Sequence, residues 1–376
     1  MSPQHYLIFS ARYAPEVGGI ESYTANLSNE LVREGHTVTI VTSGISASPG
    51  RTTQDNGVEV VRLPCRAMMG GRLPLVKRGA LTKELLSGLG NTHPTRVLVN
   101  ARFYELSLVG LRVARELAIP AVLLDHGSAY LTLGNAALDL ALKTYEHAFT
   151  AWGKRYGARY AGVSAMSAQW LSTFGIKTDT VIPNAIDAPV FRAEASTRAF
   201  RTELGVQPEQ VLIASVGRLS PEKGSRELVE AARAIGESVR IAIAGEGTLR
   251  QELTQCLPAN VTLLGNLNHS DLSALLRDSD LFCLPTRSEG FCTSLLEAGA
   301  WGLTPIATHV GGTDEVMGNP RRFGLFLEDM SPQSVVCAIE DVMQSGATGH
   351  IDELRRHVEE NCSWKATVAA LDAAFA

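Results

Sequence analysis

Two rhythms of apolar and polar residues alternate along the chain. Short apolar runs at 6–9, 37–42, 58–63, 97–99 and 121–124 have the length of buried strands, and apolar residues between them recur at helical spacing over 20–35, 82–89 and 106–117. A strand, a helix, then another strand implies right-handed crossovers and a parallel, doubly wound sheet. Gly35 punctuates the first unit, ending a helix just before the strand that opens at Thr37. After the turn-rich segment Pro183-Asn184-Ala185-Ile186-Asp187 the rhythm starts again. Strands are predicted at 211–216, 239–244, 261–264, 281–284 and 305–308, with helices at 225–235, 249–256, 270–277 and 293–301. The fold class is therefore α/β, with two similar Rossmann-like domains, 1–186 and 187–358, expected to face one another across a ligand cleft.

Length and charge sharpen this picture. A chain of 376 residues exceeds one ordinary core. The apolar runs are far shorter than the ~20 residues of a membrane-spanning helix, and no charged-then-apolar leader opens the chain, so the expected location is cytoplasmic. Six scattered cysteines without a CxxC or a Cys/His cluster predict neither disulfides nor a zinc site. The formal charge of −5 hides an asymmetry: residues 1–186 carry 18 Lys/Arg against 13 Asp/Glu, and 187–376 carry 16 against 26. The basic first half lacks clustered cations interleaved with aromatics, which argues against nucleic acid and suits an anionic surface or acceptor.

Two segments of the second half carry chemistry. In Val216-Gly217-Arg218-Leu219-Ser220-Pro221-Glu222-Lys223-Gly224, a Gly/Pro loop at a strand's carboxyl end holds two cations five residues apart. They could converge on a diphosphate, Arg218 as a fork and Lys223 as a point charge. In Glu289-Gly290-Phe291-Cys292-Thr293-Ser294-Leu295-Leu296-Glu297, a loop opens a helix whose first amides and dipole suit an anion. Thr293 and Ser294 offer hydroxyls, and Glu297 lies a turn inside, within reach of a ribose. Taken singly, the first segment is as compatible with a solvated turn, and the second fits an acidic helix start followed by a solvated helix glutamate better than a site.

Together they resemble the retaining GT-B glycosyltransferases of family 4 (group 1). Further segments in the same order are similar to that family: Ala14-Pro15-Glu16-Val17-Gly18-Gly19-Ile20-Glu21, Asp125-His126-Gly127, 181–187, Ala244-Gly245-Glu246-Gly247, Val310-Gly311-Gly312-Thr313-Asp314-Glu315 and Cys362-Ser363-Trp364. The resemblance spans nearly the whole chain and implies a metal-independent enzyme without resident cofactor, its nucleotide-diphosphate sugar, UDP first, being a substrate. Arg218 and Lys223 would stabilise the leaving diphosphate, Glu297 the ribose, and Glu289 the sugar hydroxyls. Gly217, Glu246, Phe291, Cys292, Thr293 and Ser294 would line the donor site, and Gly18 and Gly19 would admit its phosphates. His126 would face the transferred sugar. Glu21, Arg66, Arg72 and Asn184 are expected on the acceptor side. The segment 359–376 would be a helix crossing back to the first domain, its apolar Val368, Leu371 and Phe375 at helical spacing. The resemblance also points to a glycan or lipid-linked acceptor in envelope or capsular polysaccharide synthesis.

Departures from the family pattern are Cys292 and Ala185, where glycine is common, and Ala129, where aspartate is. All fall on the sugar and acceptor sides, where specificity resides. The basic-apolar segment 62–78 and the aromatic-basic stretch 145–160 could lie on an anionic membrane at the inner face of the cell, or cover an acceptor with their Met and Leu side chains in the core. Two rival classes share the architecture: a non-hydrolysing sugar-nucleotide epimerase, and a sugar-nucleotide sensor without turnover. A dehydrogenase is disfavoured, since no G-x-G-x-x-G follows the first strand.

Overall fold

A computed structural model describes residues 2–16, 18–71, 73–132, 135–318, 322–345 and 350–376. It divides into two compact units, Met1–Asn184 with Trp364–Ala376, and Ala185–Ser363.

In the first unit, strands β1 (His5–Ser10), β2 (Thr37–Ser43), β3 (Gly50–Thr53), β4 (Glu59–Leu63), β7 (Arg96–Asn100), β8 (Ala121–Asp125) and β9 (Arg159–Gly162) form one sheet in the order β3-β4-β2-β1-β7-β8-β9. β3 pairs antiparallel with β4 and the other pairs are parallel. The interior strands are buried along their length without alternation between the two faces, as in a parallel sheet covered on both sides. Leu7, Phe9, Val41, Val61, Val97, Val99 and Leu123 meet Leu106, Leu111 and Val113 of the helix Glu105–Glu116 in one buried cluster. Gly35, at φ +88, ends the helix Gly19–Arg33 as expected, and the His36 amide donates to Leu31 O at 2.9 Å.

The segment between 62 and 78 holds an antiparallel ribbon, β5 (Cys65–Met68) against β6 (Leu73–Val76). Met68 and Met69 are exposed, and only Pro74 of β6 is buried, so the methionines are not tucked into the core. The aromatic-basic stretch is the end of the helix Ala136–Gly153 and a following 3-10 turn.

The second unit has a sheet of β10 (Val211–Val216), β11 (Val239–Ala244), β12 (Val261–Gly265), β13 (Leu281–Leu284), β14 (Thr304–Thr308) and β15 (Leu325–Leu327), all parallel, in the order β12-β11-β10-β13-β14-β15. Ile213, Ile241, Ile243, Cys283 and Ile306 pack with Leu228, Ala232 and Ile339 from the helices Ser225–Ile235 and Pro332–Ser345.

Both expected boundaries shift. The Ile186 amide donates to Cys362 O at 2.9 Å, which ties 185–186 into the second unit. The position 358/359 falls inside the helix Ile351–Asn361, and Val358 of that helix stands against Gly299, where an added Cβ would come within 2.8 Å of it. The return segment therefore begins at Trp364, and its helix Trp364–Phe375 buries Val368, Leu371 and Phe375 in the first unit. Asp372 of this helix accepts from Tyr6 and Arg96, and the Arg96 guanidinium lies over the Phe375 ring. Among the described residues no helix is long and apolar enough to cross a membrane.

Candidate active site

In the second sheet the chain leaves β10 toward β11 and β12 and later returns to β10's other side as β13. Loops after β10 and β13 thus flank the point where strand order reverses, the place where doubly wound sheets bind ligands. The Glu222 carbonyl stitches these loops together, accepting from Arg287 N at 2.8 Å and Thr286 Oγ1 at 3.1 Å. Gly224 closes the first loop at φ +70, where a Cβ would stand 1.9 Å from Pro285 O; any side chain would push the two loops apart.

This stitching brings Lys223 and Glu289 into a mostly buried ion pair. Arg218 is 73% exposed and its guanidinium reaches Glu222 at 3.6 Å. Glu222 also accepts from Ser220 Oγ at 2.7 Å; despite partial desolvation, these contacts hold its carboxyl below the usual range. The two cations therefore differ in state: Lys223 is engaged within the loop pair and Arg218 projects into solvent. The helix Thr293–Trp301 begins directly after the second loop, with Phe291 and Cys292 buried, Ser294 half-buried and Thr293 exposed. Cys292 Sγ donates to Gly311 O at 3.3 Å, so the thiol fills the space under the 310–312 loop. Burial raises its pKa well above the ordinary thiol value, making it inert filling. Glu297 keeps some solvent contact, yet desolvation pushes its carboxyl up to about 7. Gly217 donates its amide to Ala244 O at 3.0 Å. Glu246 accepts at its carbonyl from Leu219 N and pairs through its side chain with Arg250 at 2.9 Å.

In the first unit, the helix Gly19–Arg33 starts at Gly18, whose backbone is extended. A Cβ on Gly18 would lie 2.5 Å from Glu21 Oε2, whereas one on Gly19 would meet nothing within 4 Å. Glu21 is buried and pairs with Arg12 at 3.3 Å. His126 follows β8, its Nε2 3.1 Å from Asn100 Oδ1 and its ring edge-on to Tyr23 at 5.0 Å between centroids. Tyr23 in turn meets Trp364 at 5.6 Å. Burial lowers the His126 pKa to about 3, so the imidazole is neutral at physiological pH. Asn184 is buried, Arg66 is exposed on β5, and Arg72 lies outside the described residues.

Comparison with known proteins decides the class. The family described as "Glycosyl transferases group 1" matches residues 196–363, and "Glycosyltransferase Family 4" matches 17–189. The chain belongs to the family 4 glycosyltransferases. It is 26% identical over 392 residues to the "D-inositol 3-phosphate glycosyltransferase" of Segniliparus rotundus, covering 96% of this chain and 84% of that one. It is 26% identical over 325 residues to the "GDP-mannose-dependent alpha-mannosyltransferase" of Mycobacterium tuberculosis, covering 85% and 82%. The crystal structure of Anabaena HepE in complex with UDP-glucose is similar at a TM-score of 0.70 and 16% identity, with 98% of each chain covered. The fold is GT-B.

This family 4 glycosyltransferase also contains a polar network that no motif announces. Arg102, 2% exposed, reaches Glu146 at 2.8 Å and Asp125 at 3.2 Å, under the Phe174 ring at 3.7 Å. Burial raises Asp125 to about 6 even beside that guanidinium. Ala101, which introduces Arg102, is buried at φ +63, a left-handed conformation that costs a β-carbon residue about 1–3 kcal/mol. Asp125 immediately precedes His126, so this network and the Asn100–His126 contact fix the same turn. The available signal was Asp125 beside His126; Arg102 and Glu146 lie far away in sequence, and only the pairing of β7 with β8 and the packing of the helix Ala136–Gly153 bring them close.

Proposed function

We propose that this family 4 glycosyltransferase is a retaining, metal-independent enzyme that moves a hexose-type sugar from a nucleotide-diphosphate donor, UDP first, to a glycan or lipid-linked acceptor in envelope or capsular polysaccharide synthesis. The observation that carries the donor assignment is the Lys223–Glu289 pair at the strand-order reversal, with Glu297 one turn into the adjoining helix. An incoming diphosphate offers Lys223 a second anionic partner, and Arg218, already in solvent, swings onto the same phosphates. Glu297 receives the ribose hydroxyls, which favours its ionised form.

In the transfer step the bond between the sugar's anomeric carbon and the phosphate oxygen breaks, its electron pair going to the departing diphosphate. The acceptor oxygen bonds that carbon on the same face and gives its proton to a phosphate oxygen. Arg218 and Lys223 stabilise the charge gathering on the leaving group, Glu289 holds sugar hydroxyls, and His126 acts as a neutral hydrogen-bonding group. The first unit supplies the acceptor contacts, including Glu21, Arg66, Arg72 and Asn184, and its basic ribbon rests on an anionic membrane.

A panel of UDP-, GDP- and ADP-sugars incubated with EDTA, followed by nucleotide release and thermal shift, tests this. The expected outcome is release of one nucleoside diphosphate, insensitive to EDTA and reduced at least ~100-fold in Lys223→Ala and Glu289→Ala. Loss of release on chelation would refute metal independence. Interconversion of sugar nucleotides would make the protein an epimerase, and binding without release a sensor. Inversion at the anomeric carbon, read by NMR of the product, would end the retaining mechanism.

A further inference from the structure

Behind His126 the first unit holds a row of buried polar side chains. Ser10 ends β1, Asn100 ends β7 beside it, and Thr24 lies in the second turn of the helix Gly19–Arg33. All three are buried. With water excluded, each polar atom finds its partner inside the protein, and the direction of every hydrogen bond in the row can be worked out. The row begins at a backbone carbonyl: Ile20 O can only accept, and Thr24 Oγ1 donates to it at 2.7 Å. The other group beside Thr24, Ser10 Oγ at 3.3 Å, gives its own hydrogen to Arg12 O at 2.8 Å, so toward Thr24 it can only accept. The single hydrogen of the Thr24 hydroxyl is therefore taken on that side, and toward Asn100 the hydroxyl presents a lone pair. Asn100 points its Nδ2 there at 2.9 Å, which turns its Oδ1 to His126 Nε2 at 3.1 Å. An amide oxygen cannot donate, so the imidazole hydrogen sits on Nε2 and Nδ1 carries the lone pair.

We propose that Asn100 is a positioning residue for sugar transfer: backed by Thr24, it holds His126 as the Nε2–H tautomer, so that Nδ1 accepts a hydrogen bond from a hydroxyl of the transferred sugar. This rests on the proposed function, in which His126 faces that sugar, and deepens it. A neutral imidazole can donate or accept toward a substrate, and the relay from Ile20 O leaves only the accepting role. Asn100 meets the ring from β7, and Tyr23 meets it edge-on from the helix Gly19–Arg33. The neighbouring Asp125 carboxyl pairs with Arg102 at 3.2 Å. A carboxylate at position 100 would thus bring a new charge directly onto Nε2–H.

The test uses the full chain labelled with nitrogen-15 histidine, the His126 ring signals being those lost from His126→Gln. Expected in the parent are a hydrogen on Nε2 in slow exchange with water, a bare Nδ1, and no protonation of the ring between pH 8 and about pH 5, since burial holds its pKa at about 3. Thr24→Val keeps the shape but removes the hydroxyl, so the Asn100 amide can turn over and the Nε2 hydrogen should exchange about tenfold faster. Thr24→Ser restores the hydroxyl and should return the rate toward that of the parent. In Asn100→Asp the new carboxylate favours the imidazolium, and the ring should take up a second proton between pH 8 and about pH 5. An imidazolium Nδ1 donates and no longer accepts. Nucleotide release from the donor found in the panel of UDP-, GDP- and ADP-sugars should therefore fall about tenfold from pH 8 to about pH 6 in Asn100→Asp relative to the parent, with affinity for the nucleoside diphosphate unchanged. A parent ring hydrogen on Nδ1, an exchange rate that Thr24→Val leaves as it was, or a His126 ring that Asn100→Asp leaves unprotonated would each overturn the relay. Identical pH profiles of release, with the ring protonating as expected, would overturn its role in transfer. If the parent releases nucleotide from none of the donors, the transferase reading fails, and the ring signals still decide the relay.

Discussion

Glu297 shows how a single side chain can trade stability for recognition. Its carboxyl sits at about 7 in the folded protein against 4.5 as the ordinary value, so the folded state binds the proton more tightly than the unfolded one. By linkage, stability is greatest below about 4.5 and falls as pH rises toward 7, by up to ~3 kcal/mol for this group. Glu297→Gln should lack that slope: between pH 5 and pH 8 its melting temperature should fall less than that of the parent. Under the proposed function the parent should also bind the donor nucleotide more tightly above pH 7, where the carboxylate is ionised, and the Gln variant should show no such rise. Calorimetry at the two pH values reads both effects, and an equal pH slope in parent and variant would mean that Glu297 titrates normally.

Individual elements are held by close backbone approaches. Gly245 ends β11 at φ +138, where an added Cβ would stand 1.9 Å from Gly217 O. Gly245→Ala must both adopt a strained backbone and separate the turns after β10 and β11, so a loss of more than ~3 kcal/mol is expected in urea unfolding. The return helix makes a different kind of contact. Leu371 is completely buried, and Leu371→Ala should cost about 2–5 kcal/mol through lost contacts and the cavity left behind. If the variant melts like the parent, the helix is not seated as described.

At the scale of the molecule, chain order and structural unit do not coincide. The first unit is assembled from both ends of the chain, so 1–184 alone would further expose Tyr6, Arg96 and Tyr23, which packs on Trp364, and would remove Asp372 from a partly buried guanidinium. Residues 185–363 expressed alone should unfold cooperatively, whereas 1–184 should do so only when 364–376 is supplied, for example by circular permutation. Hydrogen exchange across β1 and β7 reads the difference, and full protection in bare 1–184 would refute it.

The sequence by itself determined the strand-helix alternation of both halves, several elements to the residue, and the two loops that carry Arg218, Lys223, Glu289 and Glu297. These are local properties: apolar runs, helical periodicity and Gly/Pro punctuation depend on neighbours a few positions away. The ribbon β5–β6 and the helices Pro332–Ser345 and Ile351–Asn361 were not foreseen. The ribbon is too short and too exposed to leave an alternating pattern. Only tertiary structure decided which charges pair. Lys223 meets Glu289 because parallel pairing places β13 beside β10, and Arg102 meets Asp125 because β8 lies beside β7, with Glu146 brought to both by the packing of the helix Ala136–Gly153. The pKa values of Glu297, His126 and Asp125 follow from burial, which no linear spacing encodes. The switch of unit at Trp364 likewise depends on packing between residues more than 300 positions apart in the chain, such as Tyr6 and Asp372.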